Sequence, residues 1–554
     1  MEAEESAPAA AALPPVEVGG RAQLARRAGV VSAAVLASRV LGLVREQAFA
    51  VLFGAGRELD AFITAFRIPN LLRDLFAEGA LSAAFVTTFT QRMEHEGERS
   101  AWRLANLVVN GLAVVVAGLT LLGMWAAPAL VEAIAPGFAA IPGKVELTVH
   151  LTRIMFPFLL LVALAAVAMG VLNTRNIFGV PAAASAFFNL GSIVGGLGCA
   201  AWLAPDYIRG VLGSGAPPDA ALAARAITGM AIGTLAGGFL QLAVQVPSLR
   251  RVGFRYRPIL DFTDPGVRQV MRLMAPATIG AAAVQMNVFV NSNFASYLGN
   301  GPVSWLNVAF RFMQLPIGLF GVALGTVTLT IVSRHGARGD HRALAGTVAQ
   351  ALELVALCCI PAAVGLAVVG VPVIGVIYEH GRFTPSDTAA AAQALGGYAV
   401  GLAGYAGIKV LAPAFYALND TRTPMLVSVL SIAVNYGLNW VFVRRLGFGH
   451  LGLALATSAV ALGNFGLLYV FLRRRVGPIG GWSAVGRIAV ASAVMAVVAW
   501  GVDVSLTGVL PGAGAARYAL RLGAVIPAAV AVFWVACRAL GVALPRLPRG
   551  RRAT

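Results

Sequence analysis

Four arginines, Arg39, Arg45, Arg73 and Arg311, stand in stretches of sequence that are otherwise largely apolar. If the first such stretch becomes helical near residue 28, Arg39 lies about 16 Å along it at 1.5 Å per residue, close to the middle of a bilayer. An arginine there costs about 2.5–3.5 kcal/mol even on the lenient insertion scale, so it must face a hydrated cavity or a partner rather than lipid. The second stretch adds Asp60, Arg67, Arg73, Asp74 and Glu78. Internal ion pairs, such as Arg45 with Glu46 or Arg73 with Asp74, are one way to neutralise such charge. As a group the arginines are harder to neutralise, because several have no carboxylate at helical spacing. A guanidinium presents a planar fork that matches phosphate oxygens. Together these residues could recognise an anion inside a membrane, most simply a phosphate or pyrophosphate.

The elements that must position them are membrane helices. The chain has 554 residues, 58% hydrophobic and 12% charged, with a mean hydropathy of +0.79. A soluble chain carries about 25% charged residues, so this one cannot cover a folded surface with polar groups. A span needs about 20 mostly apolar residues. Fourteen windows meet that need, from 28–52 and 60–90 through 270–298, 303–333 and 389–417 to 484–505 and 518–540. The expected fold is all-α and polytopic, with a bend at Pro69 in the second span, because proline removes a helix hydrogen bond. The first twenty residues are rich in Ala, Pro and Glu and read as a disordered tail followed by a retained span.

Arginine placement sets the orientation. With both termini in the cytoplasm, most basic residues fall on that side, including Arg92, Arg99, Arg103, Arg250, Arg255 and Arg257. The same bias explains the net charge of +18 without nucleic acid, for which no compact basic domain exists.

An internal repeat organises the helices. Phe49-Ala50-x-x-x-Gly54-x-Gly56 recurs as Phe294-Ala295-x-x-x-Gly299-x-Gly301, Ala65-Phe66-Arg67 as Ala309-Phe310-Arg311, and Leu172-Asn173 as Leu418-Asn419, with Asn189 matching Asn435. An offset spanning six helices, an even number, gives two halves of the same topology. Paired bundles of this kind place a substrate between them near the midplane. The division is a cytoplasmic tail (1–26), an N-lobe of six helices (27–250), a C-lobe of six (264–473), two extra helices (484–540) and a basic tail (541–554). Enzyme chemistry finds no footing: there is no HExxH, Walker A or GxSxG sequence, and the four cysteines lack metal-ligand spacing. No metal or cofactor is expected.

The stretch ASRVLGLVREQAFAVLFGAGRELDAFITAFRIPNLLRDLFAEGALSAAFV (37–86) resembles the amino-terminal signature of the MurJ (MviN) lipid II flippases. GVALGTVTL (321–329), HGRFTPSD (380–387) and KVLAPAFYALNDTRTP (409–424) resemble later motifs of the same family. The resemblance covers about 27–540 and implies a bacterial inner-membrane transporter of the multidrug/oligosaccharidyl-lipid/polysaccharide exporter superfamily. The implied substrate is lipid II, undecaprenyl-pyrophosphate carrying a disaccharide-pentapeptide, moved to the periplasmic leaflet by alternating access. The two extra helices would hold its polyprenyl tail among membrane lipids, and contacts with other cell-wall synthesis proteins are compatible with that role. By motif position, Arg39, Arg45, Arg73 and Arg311 match cavity arginines, and Asp60 matches the acidic residue that opens the second helix. The chain departs from the pattern at Phe310 and Gln314, where relatives carry acidic residues. It also has no carboxylate between Asp264 and Asp340, where some relatives place a sodium ligand. Export of another polyprenyl-linked oligosaccharide, or drug/cation antiport within the superfamily, are the competing readings.

Overall fold

A computed structural model describes residues 21–76, 80–213, 219–509, 512 and 514–542, with side chains apart from those of 21–28, 74–76, 80–83 and 275–284. Most of the two expected tails, and the side chains of Asp74 and Glu78, lie outside this set. The chain opens with α1 (Arg21–Phe53), α2 (Arg57–Phe76), α3 (Ala80–Glu96), α4 (Glu98–Trp125), α5 (Ala127–Ile134), α6 (Lys144–Met155) and α7 (Phe158–Thr174). Its first half ends with α8 (Gly179–Leu203), α9 (Pro205–Gly213), α10 (Ala220–Ala243) and α11 (Val246–Arg251). The second half comprises α12 (Pro265–Ser296), α13 (Pro302–Pro316), α14 (Ala323–Ala337), α15 (His341–Val368), α16 (Gly370–Tyr378) and α17 (Pro385–Ala399). It closes with α18 (Leu402–Ala417), α19 (Arg422–Asn439) and α20 (Gly449–Val476), and a last pair follows, α21 (Trp482–Val509) and α22 (Ala515–Ala539).

Among the described residues, 10 helices are long and apolar enough to cross a membrane, or up to 11 if α17 and α18, bent by 41°, form one span. That is fewer than the fourteen windows. The windows at 28–52 and 60–90 fall on α1 and on α2 with α3, whose charged residues lower the hydropathy. Pro69 lies inside α2, which is helical throughout from Arg57 to Phe76.

Local chemistry ends and starts these helices. Asp264 and Asp340 cap α12 and α15 by accepting from the Gly266 and Ala343 amides at 2.8 and 2.9 Å, which satisfies donors that a helix start leaves unpaired. Thr384 and Asp387 form a capping box on α17. Asn176 and Asn419 are the described non-glycine residues with positive φ, the backbone state that asparagine tolerates at a helix stop. The Ile177 amide donates to Leu172 O and the Asp420 amide to Phe415 O, both at 2.9 Å. Asn176 and Asn419 thus close α7 and α18 with the same left-handed turn.

Small residues let helices approach closely in a membrane. In α8 and α10, a Cβ on Gly191 would come within 2.9 Å of Gly237 Cα, and one on Gly233 would strike the Gly196 backbone. The two halves meet in a seam of main chain: the Arg382 amide donates to Val51 O at 3.0 Å. Gly54 (φ 59°) and Gly381 (φ 61°) flank it, and a Cβ on either would strike the other segment's backbone. The final pair is anchored by Arg521, whose Nε and Nη2 donate to the two Asp503 carboxylate oxygens at 3.0 and 2.7 Å, and by Tyr518, which donates to Glu379 at 3.0 Å.

Candidate translocation cavity

Between the halves lies a cavity of about 250 Å³. α1 contributes Arg45, Glu46 and Phe49, α2 contributes Arg67 and Asn70, α13 contributes Asn307 and Arg311, and the end of α16 contributes Tyr378. Arg67 with Asn70, and Asn307 with Arg311, share helix faces because residues three and four apart are neighbours on a helix surface.

Glu46 is the one carboxylate among the described lining residues, against the guanidinium groups of Arg45, Arg67 and Arg311. It spans the halves. One oxygen pairs with Arg311, and the other accepts from the Tyr378 hydroxyl at 3.0 Å. Arg45 is more distant, 3.9 Å from Glu46, and stacks over Phe188 with its guanidinium 5.2 Å from the ring centre. Arg67 donates to Ser292 Oγ on α12. Arg73, half-buried further along α2, is near enough to add to the positive potential at Arg45. The chamber therefore holds more positive than negative charge.

The residues singled out from sequence divide. Arg45 and Arg311 line the cavity, and Arg73 stands close to it. Arg39 is exposed and not part of the lining; it lies six residues, about 9 Å, before Arg45 along α1. Asp60 is fully buried away from the cavity wall. Its carboxylate joins the halves by accepting from Lys144 Nζ at 3.1 Å, from the Gly301 and Ser304 amides at 2.7 and 2.9 Å and from Ser304 Oγ at 2.7 Å. Lys144, equally buried, also donates to Asn300 Oδ1 at 2.9 Å. Sequence reasoning missed Glu46 and Tyr378 as cavity residues and left Arg67 among general charges. The signal for Arg67 was available, since the repeat pairs it with Arg311.

At the opposite end of the halves, Arg92 on α3 donates to both Asp264 oxygens, at 2.7 and 3.2 Å. Along α12, asparagine amides reach across to α19 and α20. Asn291 donates to Thr457 at 3.0 Å and accepts from Asn435 and Asn439 at 3.1 and 2.8 Å, and Asn287 donates to Ser431 at 3.1 Å.

Two helical halves enclosing an arginine-rich chamber define a multi-pass membrane transporter. The sequence profile of the family described as lipid II flippase MurJ matches residues 49–514. A probable lipid II flippase MurJ of Vibrio cholerae is 35% identical over 538 residues, covering 94% of this chain and 96% of that one. Among solved structures, lipid II flippase MurJ in an inward closed conformation superposes with a TM-score of 0.73 at 25% identity, covering 92% of this chain and 99% of that one. An inward-facing multidrug resistance MATE family transporter of the MOP superfamily gives 0.65 at 15% identity, covering 79% and 94%, and shares the fold. The chain belongs to the MurJ lipid II flippase family.

Proposed function

We propose that the protein flips lipid II from the cytoplasmic to the periplasmic leaflet of the bacterial inner membrane, with both termini cytoplasmic. The observation that carries this reading is the cavity charge: among the described lining residues, three guanidinium groups stand against one carboxylate. A pyrophosphate would supply the missing negative charge and accept fork-like hydrogen bonds from Arg45 and Arg311. A cation exporter would need the opposite balance.

In this reading two six-helix lobes, 27–250 and 264–473, alternate around the cavity within a fourteen-span fold. The parallel repeat is supported by a matched pair of contacts. Asp60, four residues after Gly56, meets Lys144 at the start of α6. Trp305, four residues after Gly301, meets Asp387 in the first turn of α17, its indole donating at 2.9 Å. At about 250 Å³ the cavity is smaller than the roughly 300–1,000 Å³ of a drug-sized site. It therefore suits a state closed around the pyrophosphate position rather than around a whole headgroup. Arg39, exposed on α1, would meet the pyrophosphate on its way in, and Asp60 would act on the lobe contact rather than on the substrate. The polyprenyl tail is assigned to the pair within 484–540, whose outer faces expose Val497, Trp500, Val530 and Trp534.

The test is replacement of Arg45, Arg73 or Arg311 by alanine, with complementation of a depleted strain and outer-leaflet lipid II as readouts. Each variant should reach normal membrane levels and fail to flip, and lysine should rescue in part. Growth and flipping by all three alanine variants would remove the proposed site.

A further inference from the structure

The segment joining the halves, Phe254-Arg255-Tyr256-Arg257-Pro258-Ile259-Leu260-Asp261-Phe262, is held rigidly against α4. Asn106 donates to Arg255 O at 3.1 Å and accepts from the Arg257 amide at 2.7 Å. Asn110 donates to Arg257 O and Ile259 O at 2.7 and 3.1 Å, and accepts from the Tyr256 hydroxyl at 2.8 Å. Two asparagines one helical turn apart thus grip alternate carbonyls of an extended strap. Tyr256, Leu260 and Phe262 on this strap are exposed, and mixed aromatic and arginine side chains are typical of a chain lying at a membrane–water interface.

Beside the strap is a cavity of about 930 Å³ lined by Arg99 and Arg103 of α4 and by Arg255 and Arg257. Among its described lining residues the one carboxylate, Asp261, lies 3.8 Å from Arg103, and Glu98, at the start of α4, pairs with Arg175. Among the described residues no carboxylate pairs with Arg99, Arg255 or Arg257. Arg255 also borders a second cavity, of about 610 Å³, that is walled by Val167, Val171, Leu242 and Phe254. Three guanidinium groups therefore share one cavity, and one of them, Arg255, also opens onto an apolar groove. That pattern is complementary to a phosphate with a hydrocarbon chain attached.

We propose that this arginine pocket and its adjoining groove form a binding site for an anionic glycerophospholipid, with the phosphate among Arg99, Arg255 and Arg257 and an acyl chain along Val167, Val171 and Leu242. The site is separate from the central cavity and stands whether or not the substrate assignment does. Each arginine near a membrane surface contributes about fivefold to anionic lipid binding, so three contribute on the order of a hundredfold.

The test uses the full-length protein in detergent and native mass spectrometry, titrated with dioleoylphosphatidylglycerol, dioleoylphosphatidylcholine or glycerol phosphate. The triple variant Arg99→Gln, Arg255→Gln, Arg257→Gln should lose on the order of a hundredfold in phosphatidylglycerol affinity and keep its phosphatidylcholine binding. The pair Arg338→Gln, Arg342→Gln, exposed elsewhere, should bind as wild type. Unchanged phosphatidylglycerol binding in the triple variant, or an equal loss in the control pair, would overturn the site. Glycerol phosphate competing as well as the intact lipid would overturn the groove. Displacement of phosphatidylglycerol by a polyprenyl pyrophosphate at far lower concentration would overturn the choice of a bulk phospholipid.

Discussion

Replacing Asp60 with asparagine removes one charge from a site where none is exposed. Asp60 and Lys144 are both fully buried, and the carboxylate accepts four hydrogen bonds, three of them from the other half of the molecule. The variant leaves the Lys144 ammonium buried without its counter-charge. Breaking a buried pair from one side costs about 3–5 kcal/mol, because the remaining charge is stranded. That is roughly a 10²- to 10⁴-fold change in an equilibrium. The cost falls on the conformation in which the start of α2 touches Gly301 and Ser304. Hydrogen exchange of peptides covering 299–306 should therefore speed up by about two orders of magnitude or more. Adding Lys144→Met should recover most of the loss, since the stranded charge is then gone. Unchanged exchange in the single variant, or a second substitution whose damage simply adds to the first, would refute the reasoning.

Glu46→Gln removes the anion that occupies Arg311 in the empty cavity. A charged hydrogen bond is worth about 1.5–3 kcal/mol, so a pyrophosphate lipid should bind about 10- to 100-fold tighter, with slower release measured as a lower flipping rate. The Arg92–Asp264 clamp should be acid-sensitive. Burial raises the Asp264 carboxyl, but the Arg92 hydrogen bonds and the Gly266 amide outweigh it and hold it below the ordinary aspartate range. Its contribution is thus present above the unfolded value of about 3.9 and is lost as pH falls through the lower folded value. The melting-temperature gap between wild type and Asp264→Asn should accordingly close below about pH 4. With no carboxylate in the sequence of α12 and with Asn291 paired through both its nitrogen and its oxygen, reconstituted flipping should survive replacement of sodium by potassium. It should respond to membrane potential, at about 2.3 kcal/mol per charge per 100 mV, and loss of flipping on sodium removal at constant potential would reverse that expectation.

Charge in an apolar run is conspicuous, which is why Arg45 and Arg311 were legible in the sequence. Their partner was not. Glu46 follows Arg45 directly and suggests a local pair, yet adjacent residues on a helix do not face each other. The local pair is present but long, at 3.9 Å; the closer one is with Arg311, more than two hundred residues away, and the hydrogen bond with Tyr378 depends on how α16 docks against α1. Depth and motif position single out Arg39, and neither says which face of α1 it occupies. Asp60 drew notice as an acidic residue near a helix start, a type and position that suit substrate contact and lobe contact equally. Only the packing of α2 against α13 and α6 separates the two.

The main-chain seam at Val51 and Arg382 behaves unlike the Asp60–Lys144 contact, although both join the halves. An amide-to-carbonyl bond between a helix end and a turn, each beside a glycine, has no side chain to titrate, screen or exchange. Ionic strength and pH leave its strength largely unaltered, whereas bulk at Gly54 or Gly381 blocks it outright. The transport cycle thus has one fastening tuned by charge and another tuned by volume.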